Sequence, residues 1–257
     1  MAFLISSKPS MLALIGLTAL VHFSLQIISN QFYTHEIPIL ASLLYVLGGG
    51  TDIIVAAHML RKAINEKSQQ FLRMGIGLCL LGTTFVLLGL GAIGTFGFIT
   101  PDSVDLALHL LIVGTGLSAL FFTLSPTSAR LHSGVIQLVV ALVLLVVLVV
   151  GIYQLHPILP ALYHSLGVPT LLRQQLITGV LLLFFFAALR FALFNGGKAP
   201  KESVQWYIIG ISVLALVMLN YLLSSLPGDA YSWAGRFFHV MAAGAFIQYL
   251  WWDAKGE

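Results

Sequence analysis

Eight mostly apolar stretches succeed one another along this chain, at about 11–29, 37–60, 71–96, 104–124, 134–153, 172–195, 203–226 and 232–252. A helix needs about 20 such residues to cross the hydrocarbon of a bilayer. In that solvent a lone segment satisfies its backbone only as a helix. The stretches therefore predict an all-α, polytopic integral membrane bundle of eight transmembrane helices, one domain over residues 1–257. Connections are short and leave no room for a separate soluble domain. Composition agrees, with 59% apolar and only 8% charged residues, where soluble domains average about a quarter charged.

The first stretch follows Lys8 as a leader's apolar region would, but it carries His22 and Gln26 and shows no small-residue cleavage site. It reads as the first transmembrane helix. Basic residues set the orientation. With a cytoplasmic N-terminus, Lys8, Arg61, Lys62, Lys67, Arg73, Arg130, Arg190, Lys198, Lys201 and Lys255 fall inside, and only Arg173 and Arg236 outside. The expectation is a multi-pass protein of the cell membrane with both termini cytoplasmic and Trp251 and Trp252 at the inner interface. The lipid bilayer is then the first partner. Basic residues at helix ends, rather than in a patch, exclude nucleic acid as another. A single cysteine, Cys79, excludes a disulfide framework or a thiolate metal site within one chain.

Gly75, Gly82 and Gly89 recur every seven residues, a stripe that lets a neighbouring backbone approach closely or leaves a groove for a flat cofactor. "GGGTD" at 48–52 interrupts the second stretch, as ion and substrate sites of transporters do. "VVALVLLVVLVV" at 139–150 reads as lipid-facing or as a contact with another membrane subunit. The longest connection, 155–171, holds His156, Pro157, Pro160, His164 and Pro169 and is expected along the membrane surface.

At about 1.5 Å of rise per residue, His22, His109, Asn220, Arg236 and His239 all fall roughly 6–11 Å below the outer surface. Arg236 and His239 share a helix face. Asp105 precedes His109 by four residues and is placed to orient its imidazole. These residues form a candidate polar layer: His22, His109 and His239 as cofactor ligands, Asp105, Asn220 and Arg236 as ligand-binding groups. Two histidines facing each other across a bundle are the usual axial ligands of b-type haem. The alternative for each histidine is an interhelical hydrogen bond, and Arg236 could instead snorkel to the headgroups. In the inner half, Asp52 is expected to pair with Arg190; a proton relay through Asp52 and His58 is less favoured, since six residues do not place them on one face. No nucleophile motif, carboxylate pair or phosphate loop is visible, so no catalytic activity is expected.

"LHLLIVGTGLSALFFTLS" at 108–125 resembles the histidine-bearing middle helix of membrane-associated sensor domains, the MASE-type inputs of bacterial signalling proteins. "NYLLSSLPGDAYSWAGRFFHVMAAGAFIQYL" at 220–250 is similar to their closing helix pair, with Trp233, Gly235 and Arg236 in matching places. The resemblance covers about half of the chain and rests on loose apolar patterns. It implies that His109 and Arg236 match polar positions of the family. Two features depart from it: the third helix ends in "GAIGTFG" without a histidine, and the chain closes at "DAKGE" where the family continues into a kinase or cyclase module. The resemblance thus implies a sensor core, or a standalone relative acting on a separate partner.

The sequence therefore supports a non-enzymatic sensor-type or ligand-binding module with its site in the outer leaflet, coupled to a membrane or cytoplasmic protein partner. The alternative is a b-haem or quinone-handling membrane subunit of an electron-transfer complex, with transport through the second helix as a third reading.

Overall fold

The computed structural model describes residues 37–94, 101–126, 134–165, 168–195, 202–225 and 227–255, with Leu20 and Ser24 isolated before them. The first apolar stretch, but for those two residues, and His22 with it, lie outside the described residues. The described residues form seven α-helices: α1 (Pro38–Glu66), α2 (Gln69–Gly94), α3 (Pro101–Leu124), α4 (Gly134–Leu155), α5 (Leu171–Asn195), α6 (Glu202–Leu223) and α7 (Ala230–Ala254). Five of them, α1, α2, α3, α5 and α6, are long and apolar enough to cross a membrane. The chain is an all-α, multi-helix membrane protein.

Local chemistry sets the helix ends. Proline opens α1 and α3, where a missing N–H costs nothing. Lys67 stops α1 in the left-handed region at φ 51°, and the Ser68 N–H reaches back to the Ala63 carbonyl at 3.1 Å. That two-residue turn lays α2 directly along α1. Thr170 caps α5 by accepting from the Arg173 N–H at 3.2 Å. Asp229 caps α7, accepting from the Ser232 N–H at 2.7 Å while its other oxygen takes the Ser225 N–H at 2.7 Å.

Six helices close into a ring in which α1 packs on α2, α2 on α3, α3 on α5, α5 on α6, α6 on α7 and α7 back on α1. Helix α4 stands outside, touching α2 and α3, with Val139, Val143, Val146, Val147 and Val150 exposed. The glycine stripe is the α1–α2 seam: a Cβ on Gly82 would come within 2.5 Å of the Gly49 carbonyl, and one on Gly89 within 3.1 Å of the Ser42 carbonyl. These glycines serve close backbone packing.

In the half where α1, α3, α5 and α7 end, aromatic rings fill the ring of helices. Phe122 has the centroids of Phe184, Tyr207 and Phe246 at 6.1, 6.1 and 6.4 Å. The opposite end, where those helices begin, is called the open end below. The connection between α4 and α5 folds across it as a short 3-10 turn (His156–Ile158) and an antiparallel pair, Tyr163–Ser165 with Val168–Pro169. Asp105 of α3 holds it down, accepting from the Leu162 N–H at 3.1 Å.

Candidate functional site

At the open end a cavity of about 250 Å³ lies between α1, α2, α3, the ends of α6 and α7, and the Tyr163 hairpin. Leu88, Leu108 and Leu111 give it apolar walls, and Ser103, Ser224, Ser232, Tyr45, Tyr163 and Tyr221 bring hydroxyl groups. Arg236 is the one charged side chain among the described residues that line it. The Asp229 cap starts α7 so that Arg236 comes two turns in. Its guanidinium lies over Trp233 at 4.6 Å and Tyr45 at 5.2 Å, cation–π contacts that offset part of the cost of burying the charge. The Tyr45 and Tyr221 hydroxyls meet at 3.1 Å across the cavity wall.

Arg173 supports this wall from behind. It is 1% exposed, and its Nη2 donates to the carbonyls of Tyr221 and Ser224 at 2.8 and 2.7 Å. A cation is thereby set against the C-terminal end of α6, where carbonyls lack partners and the helix dipole is negative. The same guanidinium lies 4.7 Å above the Tyr163 ring. Burial holds the Tyr163 phenol above its usual range, with Arg173 partly offsetting the effect.

Beneath the cavity, His239 Nε2 and Asp52 Oδ2 are 2.8 Å apart, and both side chains are fully buried. The Phe85 ring stacks on the imidazole with centroids 3.6 Å apart. Gly48, one turn before Asp52, makes room for the ring: a Cβ there would stand 2.5 Å from His239 Nδ1. The "GGGTD" motif therefore divides its work. Gly48 seats His239, Gly49 packs on the Gly82 backbone, Gly50 faces open space and Asp52 binds the imidazole. Rings connect this pair to the cavity, since Phe85 also lies 5.7 Å from Tyr45, which carries Arg236.

Several sequence expectations change here. Asp52 pairs with His239 and not with Arg190, whose Nη1 donates to the Thr123 carbonyl at 2.8 Å. Arg73 likewise caps α3 at the Leu124 carbonyl, 2.6 Å away. Unpartnered helix-end carbonyls answer the arginines' need for acceptors without a buried carboxylate. Asp52 also is not in a different half from His239. It is the central residue of a 29-residue helix, and counting depth from the helix ends misplaced it. His109 Nδ1 donates to the main-chain carbonyl of Asp105 at 2.8 Å, while the Asp105 carboxylate is turned to Leu162; the backbone, not the carboxylate, orients this imidazole. Asn220 is fully buried and bonds back to the Leu216 carbonyl of its own helix at 2.8 Å. Of the five predicted residues that are described, only Arg236 lines the cavity; His22 lies outside the described residues. His58 approaches Asp253 at 3.7 Å, near the Lys62–Asp253 ion pair that ties α1 to α7 at the far end.

Sequence reasoning missed Asp52–His239, Phe85, Tyr45 and Arg173. One signal was available: Gly48 and Asp52 are one turn apart, a gap and an acceptor on the same helix face. Among the described residues no three His, Cys, Asp or Glu side chains gather as a metal site would require. No family model, curated protein or solved structure matches this chain.

Proposed function

We propose that this chain is a sensor-type, ligand-binding module of the cell membrane, without catalytic activity of its own, that reports occupancy of the open-end cavity to a cytoplasmic or membrane partner. The observation that carries this is the cavity lining: leucine walls for an apolar body, tyrosine and serine hydroxyls for polar groups, and Arg236 as the one charge among the described lining residues. No His, Cys, Asp or Glu is among its described lining residues. The likeness to MASE-type domains points the same way.

In this reading the chain spans the membrane eight times with both termini cytoplasmic, supported by ten of its twelve Lys and Arg residues falling on one side. The cavity then opens in the outer leaflet. Helices α1 and α7 flank it through Tyr45 and Arg236, and the Lys62–Asp253 pair joins them at the inner end. A ligand that shifts one helix against the other changes the cytoplasmic face.

The same hydroxyls and apolar walls also suit the ring of a neutral quinone, which keeps a quinone-handling subunit as the second reading. Haem is less well served. His239 has Nε2 held by Asp52 and Nδ1 against Gly48, so His22 and His109 would have to be its axial pair.

Thermal unfolding of the full chain in neutral detergent tests the site, using octane-1-sulfonate, octan-1-ol and a short-chain quinone. A ligand at 100 times its Kd stabilises by about 2.7 kcal/mol. At least one probe should raise the midpoint of the wild type and not of Gly91→Phe. A Cβ at Gly91 meets open space, and Gly91 lines the cavity, so phenylalanine occupies it without a clash at Cβ. No shift with any probe, or equal shifts in both proteins, contradicts the reading.

A further inference from the structure

We propose that the cavity takes a long-chain amphiphile from the bilayer, with its head inside and its chain leaving sideways between α2 and α3. This rests on the cavity being the ligand site and names the ligand class and its route.

The lining is divided by element. The Tyr45, Tyr163 and Tyr221 hydroxyls and the Arg236 guanidinium come from α1, the hairpin, α6 and α7. Past Ser103, the wall shared by α2 and α3 is apolar, with Leu87, Leu88 and Gly91 on one helix and Leu106, Ala107 and Leu110 on the other. None of these six is buried: Gly91 is exposed and the rest are half-buried. A cavity wall that is reachable from outside is a gap in the bundle. Here the outside is hydrocarbon, because all six lie in segments of α2 and α3 that are apolar and long enough to span a membrane.

The gap has a floor. Helices α2 and α3 run antiparallel and meet where a Cβ on Gly114 would collide with the Thr84 side chain. Further down, Ser118 Oγ donates to the Gly77 carbonyl at 2.8 Å. Toward the open end, the register set by Thr84 and Gly114 brings Gly91 opposite Ala107, and a Cβ on Gly91 would meet nothing within 4 Å. The two helices close tightly below and stay unfilled above. Thr84 lies about 15 Å along α2 from its end at Gly94, half of a hydrocarbon about 30 Å thick. The gap is therefore as deep as one leaflet.

Its outer side is apolar as well. Val149 and Ile152 of α4 face Leu87 and Leu110 across a second cleft of about 10 Å³. The Thr84 hydroxyl in that cleft donates to the Leu80 carbonyl at 2.8 Å, so it asks nothing of a passing chain. The open end, by contrast, is crossed by the Tyr163 hairpin, which Asp105 holds through the Leu162 N–H at 3.1 Å. A chain already in the bilayer reaches the gap without moving that hairpin.

The test uses the full chain in phosphatidylcholine nanodiscs and photolabels made in pairs of eight and sixteen carbons. Each pair carries a sulfonate, an alcohol or a benzoquinone head, with a diazirine beside the head or at mid-chain. With at least one head, the two lengths should label Tyr45 and Tyr221 equally within about twofold, because a chain that leaves the cavity is not limited by its volume. The mid-chain diazirine of the longer label should mark Leu87, Leu88 and Leu110, and an excess of the unlabelled eight-carbon compound should remove that mark. Labelling of the tyrosines by the shorter member alone means a closed cavity; it overturns the route and the long-chain class but leaves the site. Mid-chain label no stronger at Leu87, Leu88 and Leu110 than on the exposed valines of α4, and indifferent to competitor, also overturns the route. No labelling of the tyrosines by either length with any head overturns both this proposal and the site beneath it. The comparison needs no variant, so misfolding does not enter.

Discussion

Asp52 and His239 meet at 2.8 Å in the middle of the bundle, from helices 187 residues apart in sequence. The bond joins α1 to α7, and this contact closes the ring of six helices. Breaking a buried pair by removing one partner costs about 3–5 kcal/mol, because the other is left without compensation. Asp52→Ala and His239→Ala should each lose that much, measured by unfolding in detergent. The double variant should lose less than the sum, by the 0.5–3 kcal/mol or so that directly touching residues share.

Gly48 and Gly50 are two residues apart and should behave in opposite ways. A methyl group at Gly48 meets His239 Nδ1 at 2.5 Å, and one at Gly50 meets nothing within 4 Å. Gly48→Ala should destabilise by about 1–3 kcal/mol, as overpacking does. Gly50→Ala should stabilise by about 0.5–1 kcal/mol through the lost backbone freedom of glycine. Equal effects would mean that the imidazole is not seated at Gly48.

Arg173 should be the arginine least tolerant of change. It gives two charge-assisted bonds to the end of α6, each worth about 1.5–3 kcal/mol. Arg173→Gln should therefore lower stability by several kcal/mol on the same scale. Arg173→Lys should restore only part, since an ammonium lacks the planar fork of a guanidinium. Thermal unfolding of the three proteins decides this.

How much of this was legible follows from what each feature depends on. The helices and their all-α, membrane class come from the length of apolar runs, a local property that the sequence states openly. The α1–α2 seam was visible in Gly75, Gly82 and Gly89 because a seven-residue spacing keeps one face. The partners of charged residues were not legible. Arg190 and Arg73 use helix-end carbonyls that every helix possesses, so no residue type marks them. Asp52 and His239 depend on two helices distant in the chain, and depth counted from sequence ends placed them in opposite leaflets. Arg236 emerged as a site residue because its cost in lipid is intrinsic to it, while the tyrosines around it look like ordinary interfacial aromatics.

The most direct measurement is photolabelling of the purified protein with a diazirine-bearing octyl sulfonate, followed by peptide mapping. The account predicts label concentrated on the cavity walls, at Tyr45, Leu108, Leu110, Leu111 and Tyr221, suppressed by excess unlabelled sulfonate and by Gly91→Phe. Label spread over the exposed valines of α4 and the outer face of α5, and indifferent to competitor, would contradict it.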